Sequence, residues 1–241
     1  MKYNTKPFEK GVKELGISLN QDQIGQFLKY YEMLIEWNKV MNLTGITEFD
    51  EVIVKHFLDS LAIVKVCDME KIETVIDIGS GAGFPGIPLK IAFPHLQVTL
   101  LDSLKKRVNF LDEVIQEIKV DEEIETIHGR AEDFANDESY RARFDLSVSR
   151  AVANLSTLSE YCLPFARVGG EFISYKSGEI AEEIKDAKRA IGILGGEIIS
   201  DEVFTLLDTE MERSFVVIKK KGKTPKKYPR KAGLPGREPL S

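Results

Sequence analysis

Residues 75–86 read VIDIGSGAGFPG, an apolar run with an acid at Asp77 and then four glycines within eight positions. The pattern is that of a buried strand opening into a turn. Gly79, Gly81 and Gly83 carry no side chain, so the backbone there can approach a ligand closely or adopt positive φ. Two ligand chemistries compete for such a turn. Gly81-Ala-Gly83-Phe-Pro-Gly86 has the G-x-G-x-x-G spacing of dinucleotide sites. Asp77-Ile-Gly79-Ser-Gly81-Ala-Gly83 has instead an acid followed by alternate glycines, as in S-adenosylmethionine (SAM) sites. Asp77 favours the second, because a carboxylate can position an ammonium group and would repel a pyrophosphate. Pro85 and Pro88 also remove N–H donors at the start of the next helix, which weakens it as a phosphate cradle.

Further candidates follow at regular intervals. Asp102 ends the next apolar run, about 20 residues on, where a carboxylate grips ribose hydroxyls in either kind of site. HGRAEDF (128–134) puts Ala131 and Glu132 where an adenine ring would rest; Glu132 could equally be a carboxylate stabilised by a helix N-terminus. SRAVANL (149–155) places Arg150 after the fourth run, where a fixed cation could hold a phosphate, a base edge or a cofactor carboxylate, or form a structural ion pair. No general base or covalent nucleophile is evident. His56, in KHFLDSL, could pair with Asp59 one turn on. Cys67 and Cys162 have no metal-like spacing and read as buried thiols of a reducing compartment, so no metal is expected.

The elements that must carry these groups alternate. Candidate strands are 73–78, 97–102, 124–128, 144–149 and 170–175, with helices over 87–93, 104–118, 154–165 and 179–194 between them. Such alternation implies a doubly wound, mainly parallel α/β sheet. Residues 197–206 and 213–221 have no helix between them and must form a hairpin, giving the sheet an antiparallel edge. That ending distinguishes a class I methyltransferase variant of the Rossmann-like sheet from a dehydrogenase half-fold. The first 66 residues read as a helical cap. Ile24, Phe27, Leu28, Tyr31, Leu34 and Ile35 line one face of a helix that Asn20 could cap, and a second helix runs from about Asp50 to Val66. The chain divides into a cap (1–66), a SAM-binding core (67–221) and a tail (222–241) whose prolines and glycines leave no regular element.

Charge separates along the chain. The net charge is −6, yet residues 213–241 hold ten Lys or Arg against one acid, Glu238. A segment this basic attracts a polyanion locally. Lys219, Lys220, Lys221, Lys223, Lys226, Lys227, Arg230 and Lys231 are the candidates for RNA backbone contacts, and Tyr228 is a candidate for base stacking. Removing residues 222–241 should then weaken RNA binding and leave SAM affinity intact. No apolar run approaches the roughly 18 residues of a membrane span, and the first residues have no signal-peptide pattern. A cytoplasmic enzyme is expected.

WNKVMNLTGI, KHFLDSL, VIDIGSGAGFPGIPLKI, the HGRAE turn, SRAVANL, ERSFVVIKK and KKYPRKAGLP, in this order, resemble the bacterial glucose-inhibited division protein B family from about residue 8 onward. The resemblance implies a SAM-dependent guanine-N7 methyltransferase acting on one guanosine in the decoding-region loop of 16S ribosomal RNA, free or in a small-subunit precursor, and a monomer. It carries Gly79, Phe84, Ala131, Glu132 and Arg150 over as cofactor contacts. Asn42, Lys55, His56, Lys176, Arg213 and the basic tail carry over as substrate-side or supporting groups. Guanine N7 has an in-plane lone pair and no proton to lose, so the reaction is expected to be direct in-line displacement, driven by proximity and orientation. The rival classes are a small-molecule methyltransferase, an NAD-dependent oxidoreductase and a non-catalytic RNA-binding regulator.

Overall fold

The computed structural model describes residues 3–150, 153–178, 180–206 and 209–240. Ala151 and Val152 of the SRAVANL stretch, and Glu179 at the expected start of the last long helix, lie outside the described residues.

Seven strands form one sheet in the order β3-β2-β1-β4-β5-β7-β6. They are β1 Thr74–Ile78, β2 Gln97–Asp102, β3 Ile124–His128, β4 Phe144–Arg150, β5 Ala166–Ser177, β6 Gly196–Thr205 and β7 Glu212–Lys220. The first five run parallel, as the intervening helices require, with the central β1, β2 and β4 largely buried and β3 at the edge. The closing hairpin forms, and β7 inserts between β5 and β6, antiparallel to both. The strand tips after β1 to β5 therefore share one edge of the sheet with the start of β7, while β7 ends at the opposite edge. That carboxyl edge is where open α/β sheets bind ligands.

Both faces are covered. On one lie α5 (Gly86–Ala92), α6 (Lys105–Ile118) and the N-terminal cap; on the other lie α8 (Leu155–Cys162) and α9 (Ala181–Ile193), with the short α7 (Ala131–Phe134) beside them. The cap consists of α1 (Lys6–Glu14), α2 (Gln21–Met41), α3 (Phe49–Val52), α4 (Asp59–Leu61) and a 3-10 turn Ala62–Lys65. Asn20 caps α2 with a reciprocal box: its side chain accepts from Gln23 N, and Gln23 Oε1 accepts from Asn20 N, both at 2.9 Å. Phe27, Tyr30, Leu34 and Phe57 of the cap share a hydrophobic cluster with Val75, Leu89 and Leu100 of the sheet and α5. Between α3 and α4 the helix widens into a π turn, Ile53–Leu58. Such turns are rare and recur at functional sites.

The tail differs from expectation. Residues 224–240 pack as a strap along α8 and contain one helical turn, α10 (Leu234–Arg237). Tyr228 and Pro235 are buried in it, so Tyr228 has no ring face free for a base. The strap is held by buried acceptors. Glu160, fully buried on α8, receives Arg230 Nη2 at 2.7 Å and Arg230 N at 2.7 Å. Thr157 Oγ1 donates to Pro235 O at 3.0 Å, and Ser156 Oγ to Leu240 O.

Candidate active site

The glycine turn follows directly from the tip of β1. Gly79, Gly81 and Gly83 all have positive φ, at 73°, 62° and 94°. The three do different work. A Cβ at Gly83 would stand 2.6 Å from Ile87 Cδ1 and 2.7 Å from the Tyr30 hydroxyl, so that glycine permits internal packing. A Cβ at Gly81 would meet nothing nearer than Gly79 O at 3.8 Å, so no other part of the chain fills the space beside it. Gly81→Ala is therefore expected to cost about 1 kcal/mol of stability, the left-handed penalty alone, while weakening SAM binding by more than tenfold. Thermal melting and calorimetric titration check the two separately.

Asp77 is fully buried beneath the turn. Its Oδ2 accepts from Gly86 N at 2.9 Å, pinning the start of α5, and its Oδ1 has no partner. Burial pushes its pKa up from 3.8 to about 7, opposed by the Gly86 N–H and Arg150. An unpartnered buried carboxylate oxygen beside an open glycine cradle suits the ammonium end of SAM. Asp102 lies at the tip of β2. Its Oδ2 accepts from Gly81 N at 2.9 Å and Arg107 Nη1 at 3.3 Å, and its Oδ1 from Leu104 N at 2.8 Å. These bonds fix the carboxylate at the groove and leave lone pairs for ribose hydroxyls. Ala131 and Glu132 start α7 after β3, both buried. Glu132 Oε1 accepts from Gly233 N at 2.7 Å, so the strap holds this side of the groove.

Phe84 joins the groove to a second cluster. The His56 ring stacks on it at 4.6 Å between centroids, and the Arg150 guanidinium lies 5.0 Å from its centroid. Arg150 Nη1 donates to Asp59 Oδ2 at 2.7 Å, and Arg213 Nε to Asp59 Oδ1 at 3.0 Å. Asp59 thus pairs with two arginines and not with His56. In the π turn residues three apart no longer lie in line, and His56 Nε2 instead meets Thr44 Oγ1 at 2.8 Å. Burial, followed by Arg150, lowers the His56 pKa from 6.5 to about 3, so the ring is neutral at working pH.

These groups line a cavity of about 470 Å³ with Lys55, Tyr175, Lys176 and Glu183. Lys55, His56, Arg150, Lys176 and Arg213, five residues singled out in the sequence, come together there. The lining has four cations against two carboxylates, Asp59 and Glu183; Lys55 also pairs with Glu51 outside the lining, so a small excess of positive charge remains. Lys176 Nζ is tied to Ala153 O at 2.8 Å and Glu183 Oε1 at 2.6 Å. A larger cavity, about 670 Å³ around Thr74, Gln97, Glu123 and Tyr140, opens at the amino edge, away from every residue of the groove.

Other expected residues lie elsewhere. Asn42 ends α2 in a left-handed conformation with φ 49° and does not line the cavity. Lys219, Lys220 and Lys221 sit where β7 and its hairpin reach the amino edge, because β7 runs antiparallel. Lys219 pairs with Glu171 at 2.9 Å and Lys221 with Glu197 at 3.1 Å. Lys220 is buried, donating to Leu163 O at 2.7 Å and Leu194 O at 3.0 Å, and is shut off from a phosphate. Arg230 is spent on Glu160. Lys223, Lys226, Lys227 and Lys231 remain exposed on the strap. Asp59 and Tyr30 were not singled out for the site. Tyr30 donates from its hydroxyl to Ala82 O inside the glycine turn. Asp59 carried a signal in its helical spacing from Lys55 and His56, but its true partners come from β4 and β7. Among the described residues, no group of three His, Cys, Asp or Glu side chains could hold a metal ion, and no helix is long and apolar enough to cross a membrane.

The fold is that of solved methyltransferases. A putative O-methyltransferase from Klebsiella pneumoniae superposes with TM-score 0.54 at 14% identity, over 80% of this chain and 90% of that one. TYW2 from P. horikoshii, solved with MeSAdo, superposes with TM-score 0.53 at 15% identity, over 68% and 61%. Sequence relatives are far nearer. Ribosomal RNA small subunit methyltransferase G of Lachnoclostridium phytofermentans is 52% identical over 233 residues, 97% of this chain and 96% of the relative. Its namesake in Thermoanaerobacter sp. is 52% identical over 231 residues, 96% of each. Residues 23–210 match the family model GidB, described as rRNA small subunit methyltransferase G. With the acid–glycine turn, the carboxylate at the second strand tip and near-full-length matches at about half identity, the chain belongs to the GidB family of SAM-dependent rRNA small subunit methyltransferases.

Proposed function

We propose that the protein methylates N7 of one guanosine in the decoding-region loop of 16S ribosomal RNA, free or within a small-subunit precursor, acting as a cytoplasmic monomer. The observation that carries this reading is the cationic cavity of about 470 Å³, joined through Phe84 to the glycine turn. A phosphate-bearing substrate suits that excess charge better than a neutral small molecule does.

SAM, when bound, supplies an activated methyl group. The chain's residues position the partners. Asp77 would position the ammonium, directly or through water, Asp102 would hold the ribose hydroxyls, and the Ala131–Glu132 turn the adenine. The backbone at Gly79 and Gly81 leaves room for close approach, and Phe84 links this turn to the acceptor cavity through His56 and Arg150. N7 needs no base, and His56, neutral and bonded to Thr44, is a packing and shaping group in this scheme. Positive charge moves onto the guanine during transfer. Arg150 therefore grips a phosphate or the cofactor carboxylate rather than the ring, and its tie to Asp59 holds it there. The target guanosine must be unstacked or already open in its loop.

The test is transfer of labelled methyl to unmodified 16S RNA and to small subunits, followed by mapping of the modified base. The expected product is a single N7-methylguanosine. Label on another atom or base overturns the specificity. Tight NAD binding in place of SAM in a calorimetric titration would support the oxidoreductase reading.

A further inference from the structure

Two arginines stand together outside the acceptor cavity and have no assigned task. Arg130 follows β3 at the carboxyl edge and precedes the Ala131–Glu132 turn. Arg237 comes from α10 of the strap. They meet at Gly233. A Cβ built there would lie 3.6 Å from Arg237 Nη2 and 3.9 Å from Arg130 Nη1. Both side chains belong to exposed residues, and neither is in an ion pair among the described residues. The nearby Glu132 carboxylate is turned to the Gly233 amide. Arg230, seven residues earlier in the strap, shows the contrast: it is locked to Glu160.

Each guanidinium lies within 4 Å of the same point beside Gly233, so one anion there can touch both, and the Glu132 carboxylate, bonded to the Gly233 amide, offsets part of their repulsion. Guanidinium forks suit the paired oxygens of a phosphate. The setting is built. Gly233, with φ 79°, is bonded to buried Glu132, and on either side of it Arg230 on Glu160 and Pro235 O on Thr157 fasten the strap to α8. The site lies on the adenine side of the groove, with the Arg150–Arg213 cavity on the other.

We propose that Arg130 and Arg237 form a subsite for a backbone phosphate of the RNA substrate, so that the RNA straddles the cofactor groove between this pair and the acceptor cavity. The proposal rests on the RNA-methyltransferase reading above. It moves the strap's contribution to RNA binding from its lysine-rich start to its far end.

The experiment measures affinity for an unmodified 16S RNA fragment against salt concentration, for the full-length protein and for Arg130→Gln/Arg237→Gln. Lys188→Gln/Arg189→Gln, on the exposed side of α9, controls for net charge. The Arg130/Arg237 variant is expected to bind the fragment about ten- to thirtyfold more weakly at 0.1 M salt, with the log–log salt slope reduced by about 1 per arginine. Its SAM affinity and melting temperature should stay at the wild-type values, and the control should lose about threefold or less. Equal losses in the two variants, or no loss in the first, overturn the subsite while the wild type still methylates the fragment. If the wild type neither binds nor methylates it, the underlying reading fails as well.

Discussion

Arg230→Ala is expected to lower the unfolding free energy by about 3–5 kcal/mol, the usual cost of removing one partner of a buried ion pair. Glu160 is fully buried, and both its oxygens are satisfied by Arg230: Oε1 by the backbone N–H and Nε, Oε2 by Nε and Nη2. Alanine keeps the backbone bond but leaves an unpaired charge buried between α8 and the strap. Urea unfolding of the full chain measures the loss, and a change under about 1 kcal/mol would show that the strap is not anchored there. Glu160→Met/Arg230→Met should recover most of it, since paired apolar replacement of a buried ion pair is often neutral. The same anchoring alters the outcome of deleting residues 222–241. Deletion strips Thr224 from the buried Lys220 and Gly233 from Glu132. SAM affinity and stability should fall with it, against the expectation that the tail serves RNA alone.

The strands were legible because the first five are short β-prone segments separated by helical stretches, with β1, β2 and β4 largely buried, and all seven lie within a few residues of their expected limits. That Asp77, the glycines and Asp102 lie together was legible because each falls at the tip of one of two neighbouring parallel strands. What escaped depends on distant chain. The π turn adds a slight widening to a helix whose apolar pattern stays nearly the same, so Asp59 looked like a partner for His56. Its actual partners, Arg150 and Arg213, meet it only after β4 and β7 are laid side by side with β5. Lys219, Lys220 and Lys221 read as RNA contacts from their charge. Charge is a local property, while the edge a residue faces is set by strand direction. The tail read as irregular because prolines and glycines exclude long helices. They do not exclude a strap whose few polar groups find buried acceptors on α8.

Asp77→Asn is expected to weaken SAM binding by about 2–5 kcal/mol, or thirtyfold to several thousandfold, the range for truncating one member of a buried charge pair. Asparagine can still accept the Gly86 N–H, so the helix start keeps its anchor. The substituted protein should melt at the wild-type temperature or above it, because the buried acid is itself a burden. Its folded pKa, about 7, lies above the unfolded value of 3.8, so the folded chain holds the extra proton between those limits. Asp77's contribution to stability is therefore fully present below about pH 4 and is lost as pH rises towards 7. Ligand binding has the opposite slope. Only the ionised carboxylate pairs with an ammonium, so wild-type SAM affinity should fall nearly tenfold for each pH unit below 7 and level off above it. In Asp77→Asn that dependence should vanish. Calorimetric titration from pH 5.5 to 8 reads both effects. A flat wild-type profile, or an asparagine variant that binds as tightly as the wild type, would remove Asp77 from the cofactor site and leave it as a helix anchor alone.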